Sequence, residues 1–363
     1  NSAQKSLHLK GFIPEFTYGN YTAEYINILG DLNNQSTTAI ANIDRLYAGD
    51  SLLLDTIAFN LHNVKYGYVV NTQIHDRKHY NRINSDIFLK PQASQADLSV
   101  VNMDAWLSGK KWNVSSENNV RISKGRIDIH NLIFNSDNQR IALESYRKND
   151  DKEACISIRL LETSLGDLVS IFTPKIKSIS ASLSGKIDIE NIFGKLLVLA
   201  DVNAQDIQID KENLGSFAVK SVLNSELNRI ELNGLMSGAN SATISGYYNL
   251  QKNNQRLELQ ADLDNASLSF LNLPFFEKYV RNVRGTFGGN LHIAGPLNAL
   301  TLDGKIHINE ADVVVSYLNT RYAISNEDIV LSKDGYFDIG DLRIRDIKNY
   351  TATGTGRIYH SHF

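Results

Sequence analysis

Apolar and polar residues alternate most clearly in residues 284–315, RGTFGGNLHIAGPLNALTLDGKIHINEADVVV. Leu300, Leu302, Ile306 and Ile308 are separated by multiples of two, with Thr301, Asp303, Lys305 and His307 between them. A period of two predicts strands with one apolar and one wet face. Glycines 285, 288, 289, 295 and 304 interrupt the run where a strand must bend, bulge or admit another backbone. One phrase recurs, as KGRIDI at 124–129, SGKIDI at 184–189, SGYYNL at 245–250, DGKIHI at 303–308 and TGRIYH at 355–360. Its glycines, at 125, 185, 246, 304 and 356, are spaced by 60, 61, 58 and 52 residues.

Read in order, the chain predicts strand after strand. The first runs over 6–12 before Pro14, an edge or turn signal, and the next over 21–32. Strands at 38–47 and 51–64 flank Ala48-Gly49-Asp50, a hairpin turn. Residues 66–74 alternate, and 87–101 contain Pro91, which marks an edge strand or two strands with a kink between them. Residues 102–111, with Trp106 and Leu107, read as a short helix. The meander resumes at 119–122, 126–134, 140–147 and 153–160. Leu165, Leu168, Val169 and Phe172 have helical spacing that ends at Thr173-Pro174. Residues 267–293 echo 164–189: Ser-Leu, an apolar helical turn, a proline (174 or 274), then a glycine-bearing strand. With the strands between and after these helices the count is about 25, from typical strand lengths.

So many strands in one flat sheet would be unusual, since long sheets curl, close or split. The expected fold is all-β: a long, curled, mostly antiparallel repeat sheet with one or two short helices, each unit touching its neighbours like a solenoid. Residues 1–163 form one segment and 164–363 a second, continuous with it. If the sheet closes, its inner face is a dry core; if it stays open, that face is a long apolar groove.

Charge narrows the partners. With 37 basic and 40 acidic residues the net charge is −3, so nothing favours nucleic acid. The single cysteine, Cys155, excludes an intrachain disulfide and reads as a small buried hydrophobe. No apolar run reaches the length of a membrane span. The chain opens without Met and ends inside a predicted strand, as an excised piece of a longer protein would.

Catalytic patterns are not found. His75 and His79 are four apart but lie in a polar joint without further ligands, and His360 and His362 have no third partner. Residues 285–289 lack the lysine and hydroxyl of a phosphate loop, and no Gly-x-Ser-x-Gly occurs. No enzyme, cofactor or metal site is expected.

Residues 284–297 (RGTFGGNLHIAGPL), followed by 300–315 (LTLDGKIHINEADVVV), resemble the TamB family of AsmA-like translocation and assembly module proteins. So do 318–322 (LNTRY), 339–346 and the closing GTGRIYHSHF at 354–363, in the manner of Bacteroidetes-type members. The resemblance is specific over 164–363 and architectural over 1–163. It implies an extended "β-taco", held at the inner membrane by an N-terminal helix and crossing the periplasm of a Gram-negative envelope. It also implies phospholipid as cargo and an Omp85-type, TamA-like outer-membrane barrel as partner, reached through segments outside this sequence.

Such a groove needs aliphatic residues on one uncharged face. The candidates are Ile127, Ile129, Ile187, Ile189, Leu257, Leu259, Leu291, Ile293, Leu300, Leu302, Ile306, Ile308, Val313 and Val315. Two other readings compete: open strand edges that template outer-membrane β-proteins, and a closed β-helix acting on polysaccharide. The second would need clustered carboxylates, for which Asp188, Glu190 and Asp201 are the nearest set.

Overall fold

The structure is a computed structural model that describes residues 6–33, 36–77, 80–147, 154–172, 179–210, 212–238, 240–251, 255–273, 276–297 and 299–359. The chain forms two compact units, Asn1–Lys177 and Ser178–Phe363. The described residues hold 25 strands, and every resolved pairing is antiparallel, so the fold is all-β.

The strands of the first unit are β1 (Leu7–Tyr18), β2 (Tyr21–Leu32), β3 (Thr37–Ala48), β4 (Ser51–Leu54), β5 (Thr56–Val64), β6 (Gly67–His75) and β7 (Arg82–Pro91). They continue as β8 (Gln95–Leu107), β9 (Lys110–Val114), β10 (Asn119–Ser123), β11 (Arg126–His130), β12 (Leu132–Ser136), β13 (Gln139–Arg147) and β14 (Ala154–Ser164), before helix α1 (Leu165–Phe172). β1, β2 and β3 pair in turn, β3 then pairs with both β4 and β5, and β5 to β8 again pair in turn. The long β8 forks the sheet. Its N-terminal end pairs with β10 and its C-terminal end with β9, which in turn pairs with β12.

Two expectations are corrected here. Residues 102–111 are not a helix. Met103, Ala105 and Leu107 alternate with Asn102, Asp104 and Trp106 on β8, and Ser108 and Gly109, at φ 50° and 73°, turn the chain into β9. That pair of positive φ values is the hairpin geometry a twisted sheet prefers. The expected single strand over 126–134 is broken at Asn131, whose φ of 52° turns the chain from the β10 side of the fork to the β9 side. Pro91 ends β7, and Pro14 sits within β1, which among the described residues pairs only with β2. Cys155 is buried.

The second unit is a meander: β15 (Ile179–Glu190), β16 (Leu197–Ile209), β17 (Glu212–Asn224), β18 (Arg229–Ser237), β19 (Ala242–Asn249), β20 (Arg256–Ser267), β21 (Val280–Gly295), β22 (Thr301–Val315), β23 (Thr320–Ser332), β24 (Tyr336–Asp346) and β25 (Thr351–Tyr359). A 3₁₀ helix, Leu268–Asn272, separates β20 from β21. Among the described residues β25 pairs only with β24, so this sheet does not close into a barrel. Both helices start on a Ser-Leu pair with a serine cap: Ser164 accepts from the Asp167 amide at 3.2 Å, and Ser267 from the Ser269 amide at 3.1 Å. Pro174 and Pro274 lie outside the described residues.

The recurring glycine has one job in three of its five copies and the same backbone conformation in a fourth. Gly185, Gly246, Gly304 and Gly356 sit within strands at φ 148–152°. A Cβ on Gly304 would lie 2.1 Å from the Asn290 carbonyl oxygen, and one on Gly246 2.0 Å from that of Glu258. The neighbouring backbone occupies the side chain's space, which lets the sheet coil sharply at that point. Gly125 differs, standing at φ 69° in the β10–β11 turn. Gly356 shares the dihedral but meets nothing within 4 Å. Gly304→Ala is therefore expected to cost about 2–4 kcal/mol, from backbone strain plus overlap. Gly356→Ala should cost only the strain, about 1 kcal/mol. Urea midpoints of the two variants test this; equal losses would show that the close approach is not what the glycine serves.

Candidate functional site

Antiparallel register decides which side chains share a face, because directly paired residues project to the same side. In the second unit one row runs Ile187, Ala200, Ser221, Leu232, Gly246, Leu259, Ile293, Leu302 from β15 to β22. The next runs Ile189, Val198, Leu223, Ile230, Tyr248, Leu257. A third runs Gly185, Val202, Val219, Gly234, Ile244, Ala261, Leu291, Gly304, Leu331, Phe337, Ile358. These rows make one uncharged apolar face.

The first unit builds the same kind of face from a ladder of isoleucines. Ile13, Ile26, Ile43, Ile57, Ile74 and Ile83 pair in turn across β1, β2, β3, β5, β6 and β7, and the row ends in Ala105 and Trp112. Ile127 and Ile129 pair with Ile122 and Val120, which pair with Ala96 and Leu98.

Of the fourteen candidates, only Ile129 and Ile308 are buried; the other twelve are half-exposed. Leu300 precedes β22 and is in no strand. Ile308 belongs to a true core, with Phe287, Val283, Ala266, Ala311 and Leu268 from the 3₁₀ helix. Phe270 of that helix lies over Phe287, ring centroids 6.0 Å apart. The helix thus covers one end of the apolar face. The register shift between Thr286 and Phe287 keeps the face continuous along β22 by leaving Asn309 over. Apolar positions are even up to Ile308 and odd from Ala311 through Val313 and Val315.

Away from the helix the face is only partly covered. Its large residues, Val198, Val202, Val219, Leu223, Ile230, Leu232 and Ile244, are all half-exposed, while its buried members include Ala242 and Ala261. Sequence reasoning missed these seven. They lie on predicted strands, but only the register shows that they join the named rows.

The reverse face of this unit is wet and paired. Lys186 meets Asp188 at 2.7 Å, Lys305 meets Asp328 at 2.6 Å, and Lys220 meets Asp201 at 3.4 Å. Asp188 and Asp201 are thus ion-paired, and Glu190 is buried, so the three do not form an open carboxylate cluster. Hydrogen bonds from Lys305 and then His307 hold the Asp328 carboxyl below the usual range. Arg321 does the same for Asp312. His75 donates its Nε2–H to the Asn84 Oδ1 at 2.8 Å, while His79, His360 and His362 lie outside the described residues. No group of three or more metal-ligating side chains occurs among the described residues.

Residues 228–360 match the family model of the TamB C-terminal domain. The chain is consistent with a TamB family fragment. The matched stretch begins at the start of β18 and ends at the end of β25, so it contains the 3₁₀ helix and the core beneath it. It lies inside the 164–363 span of the sequence resemblance and leaves 164–227 outside. Comparison with curated proteins and with solved structures gave no match. A TamB domain suggests a role in the translocation and assembly module; the family is envelope-associated and not known for an enzymatic activity. No described helix is long and apolar enough to cross a membrane.

The lowered carboxyls give the TamB-like unit an acid dependence with a definite sign. A carboxylate whose folded value is depressed stabilises the fold above its unfolded value, near pH 4, and that stability is lost as pH falls through the folded value. The urea midpoint should therefore drop from pH 5 to pH 3. Asp312→Asn should lower it at pH 7 and flatten the drop. An unchanged slope in that variant would exclude the Asp312–Arg321 pair as a source.

Proposed function

We propose that the apolar face of each unit holds phospholipid acyl chains, and that the chain is a non-enzymatic lipid-carrying scaffold of the Gram-negative envelope. In this reading the full-length protein stands in the periplasm, anchored in the inner membrane. It passes lipid toward the outer membrane and supports outer-membrane biogenesis with an Omp85-type, TamA-like barrel.

The observation that carries the reading is the half-exposure of a ladder-paired apolar face many strands wide. Monomeric soluble proteins rarely leave such a patch bare without a ligand or partner. An acyl chain entering it gains about 0.8 kcal/mol per buried CH₂. Rows of similar aliphatic residues offer near-equal sites along the face, so a chain can slide without returning to water. A second reading, strand templating, is favoured by β25, which is paired on one side and exposed along its whole length.

Native mass spectrometry with lipid extraction tests the proposal on the chain purified from a Gram-negative host. Phospholipid should co-purify, and Ile187→Asp with Leu302→Asp, at half-exposed positions of one row, should reduce it at least tenfold with the far-UV spectrum unchanged. Ile308→Asp should instead unfold the second unit, because that side chain is 6 % exposed inside the core. Lipid-free wild-type protein, or lipid kept by the double variant, would sink the lipid reading. Strand templating, which uses backbone edges, would survive the charge changes.

A further inference from the structure

Across β5 to β8 the reverse face of the first unit is richer in amides than in the ion pairs that mark the second. Across β5 to β8 its rows are Asn60, Asn71, Asp86, Asn102 and, beside them, Gln73, Asn84, Asp104. They line an open trough of about 580 Å³. We propose that this trough binds a neutral, extended oligosaccharide of the β-1,4-linked type through the planar polar groups of Asn60, Asn71, Gln73, Asp86, Asn102 and Asp104.

Three observations support this. The first is the supply of hydrogen-bonding groups. Asn71 and Asn102 each donate their Nδ2 to Asp86, at 2.7 and 2.8 Å, which leaves both side-chain carbonyl oxygens as acceptors. The side chains of Asn60 and Gln73 make no hydrogen bond among the described residues and offer both donors and acceptors. Hydroxyl-dense ligands need that mixture at close spacing.

The second is charge. Asp86 is held chiefly by two amides, and those bonds keep its carboxyl below the usual range and able to accept from hydroxyls. Of the basic side chains nearby, Arg82 is engaged at the end of the trough, 3.4 Å from Asp104 and 5.0 Å from the Trp106 ring centroid, while His62 adds a weaker attraction to Asp86. Asp86 and Asp104 would repel a phosphate or carboxylate ligand, whereas a neutral one only donates hydrogen bonds to them. The third is shape. Four strands span about 14 Å of gently coiled surface, which suits a flat ribbon of sugar rings lying across the strands. It offers no deep hole for an apolar or aromatic group.

Trp106 provides the readout, since its Nε1 donates to Asp104 at 3.0 Å; the other tryptophan, Trp112, is buried. Titration of the whole chain with cellohexaose and with chitohexaose, followed by tryptophan fluorescence and calorimetry, is the experiment. At least one should bind with a micromolar to millimolar Kd. Asn71→Ala with Asn102→Ala should weaken it at least tenfold, with the melting temperature unchanged. Lys305→Ala, on the polar face of the other unit, should leave binding intact. No binding by either sugar at millimolar concentration overturns the proposal. So does undiminished binding in the double variant, or tighter binding of an acidic oligosaccharide of equal length. If the double variant melts early, Gln73→Ala, at an exposed position, decides in its place by the same tenfold criterion.

Discussion

Strand register is the constraint on which both faces depend. A slip of one residue would carry every aliphatic side chain of a strand to the wet face and every charge to the apolar one. The fold holds register with local devices. At Gly246 and Gly304 the neighbouring backbone fills the place of a side chain, so only glycine admits the pairing at that point. Where the parity of a strand has to change, an extra residue is absorbed. Asp206 and Asn265, at φ 52° and 56°, each lie inside a register shift, between Ala204 and Ile207 and between Leu263 and Ala266. Short polar residues tolerate that left-handed geometry with little strain.

These devices explain what could be read from the sequence. Alternation located nearly all the strands, and the recurring glycine marked where the sheet repeats its geometry. The fork at β8 was hidden, because its parts pair with different partners while the local pattern of 102–111 fits a helix turn as well as a strand. The isoleucine ladder was hidden for a related reason. Its members are 13, 17, 14, 17 and 9 residues apart, and irregular hairpin lengths erase any fixed period. Ile308 shows the limit for a site. It alternates like Ile306, yet a five-residue helix from elsewhere in the chain turns it into core. Burial by a distant element leaves no trace in local periodicity.

The energetics of the open face follow from the same geometry. Backbone ladders and cross-strand pairs, each pair contributing about 0.2–1 kcal/mol, can hold a sheet without a second layer over it. Large aliphatic residues are then free to stay half-exposed, and the small buried ones are often alanines on the same rows. The fully packed cluster under the 3₁₀ helix is local. It fixes one end of the TamB-like unit while the rest of the face stays available to a ligand.

The reverse faces solve a different problem, that of keeping a one-layer sheet in water. In the second unit the solution is alternating charge, with Lys, Arg and His set against Asp and Glu on neighbouring strands. Such pairs add little stability when exposed, but they bind water strongly and resist sheet stacking. Amides are weaker deterrents, since ladders of Asn and Gln favour stacking between sheets. A trough of amides on the first unit therefore has no advantage as a merely solvated surface. Two of its amides, Asn71 and Asn102, are held on the Asp86 carboxylate, so that centre of the array is set in position before any ligand arrives. Preorganisation of that kind lowers the ordering cost of recognition, and it separates a binding surface from a face that only has to stay wet.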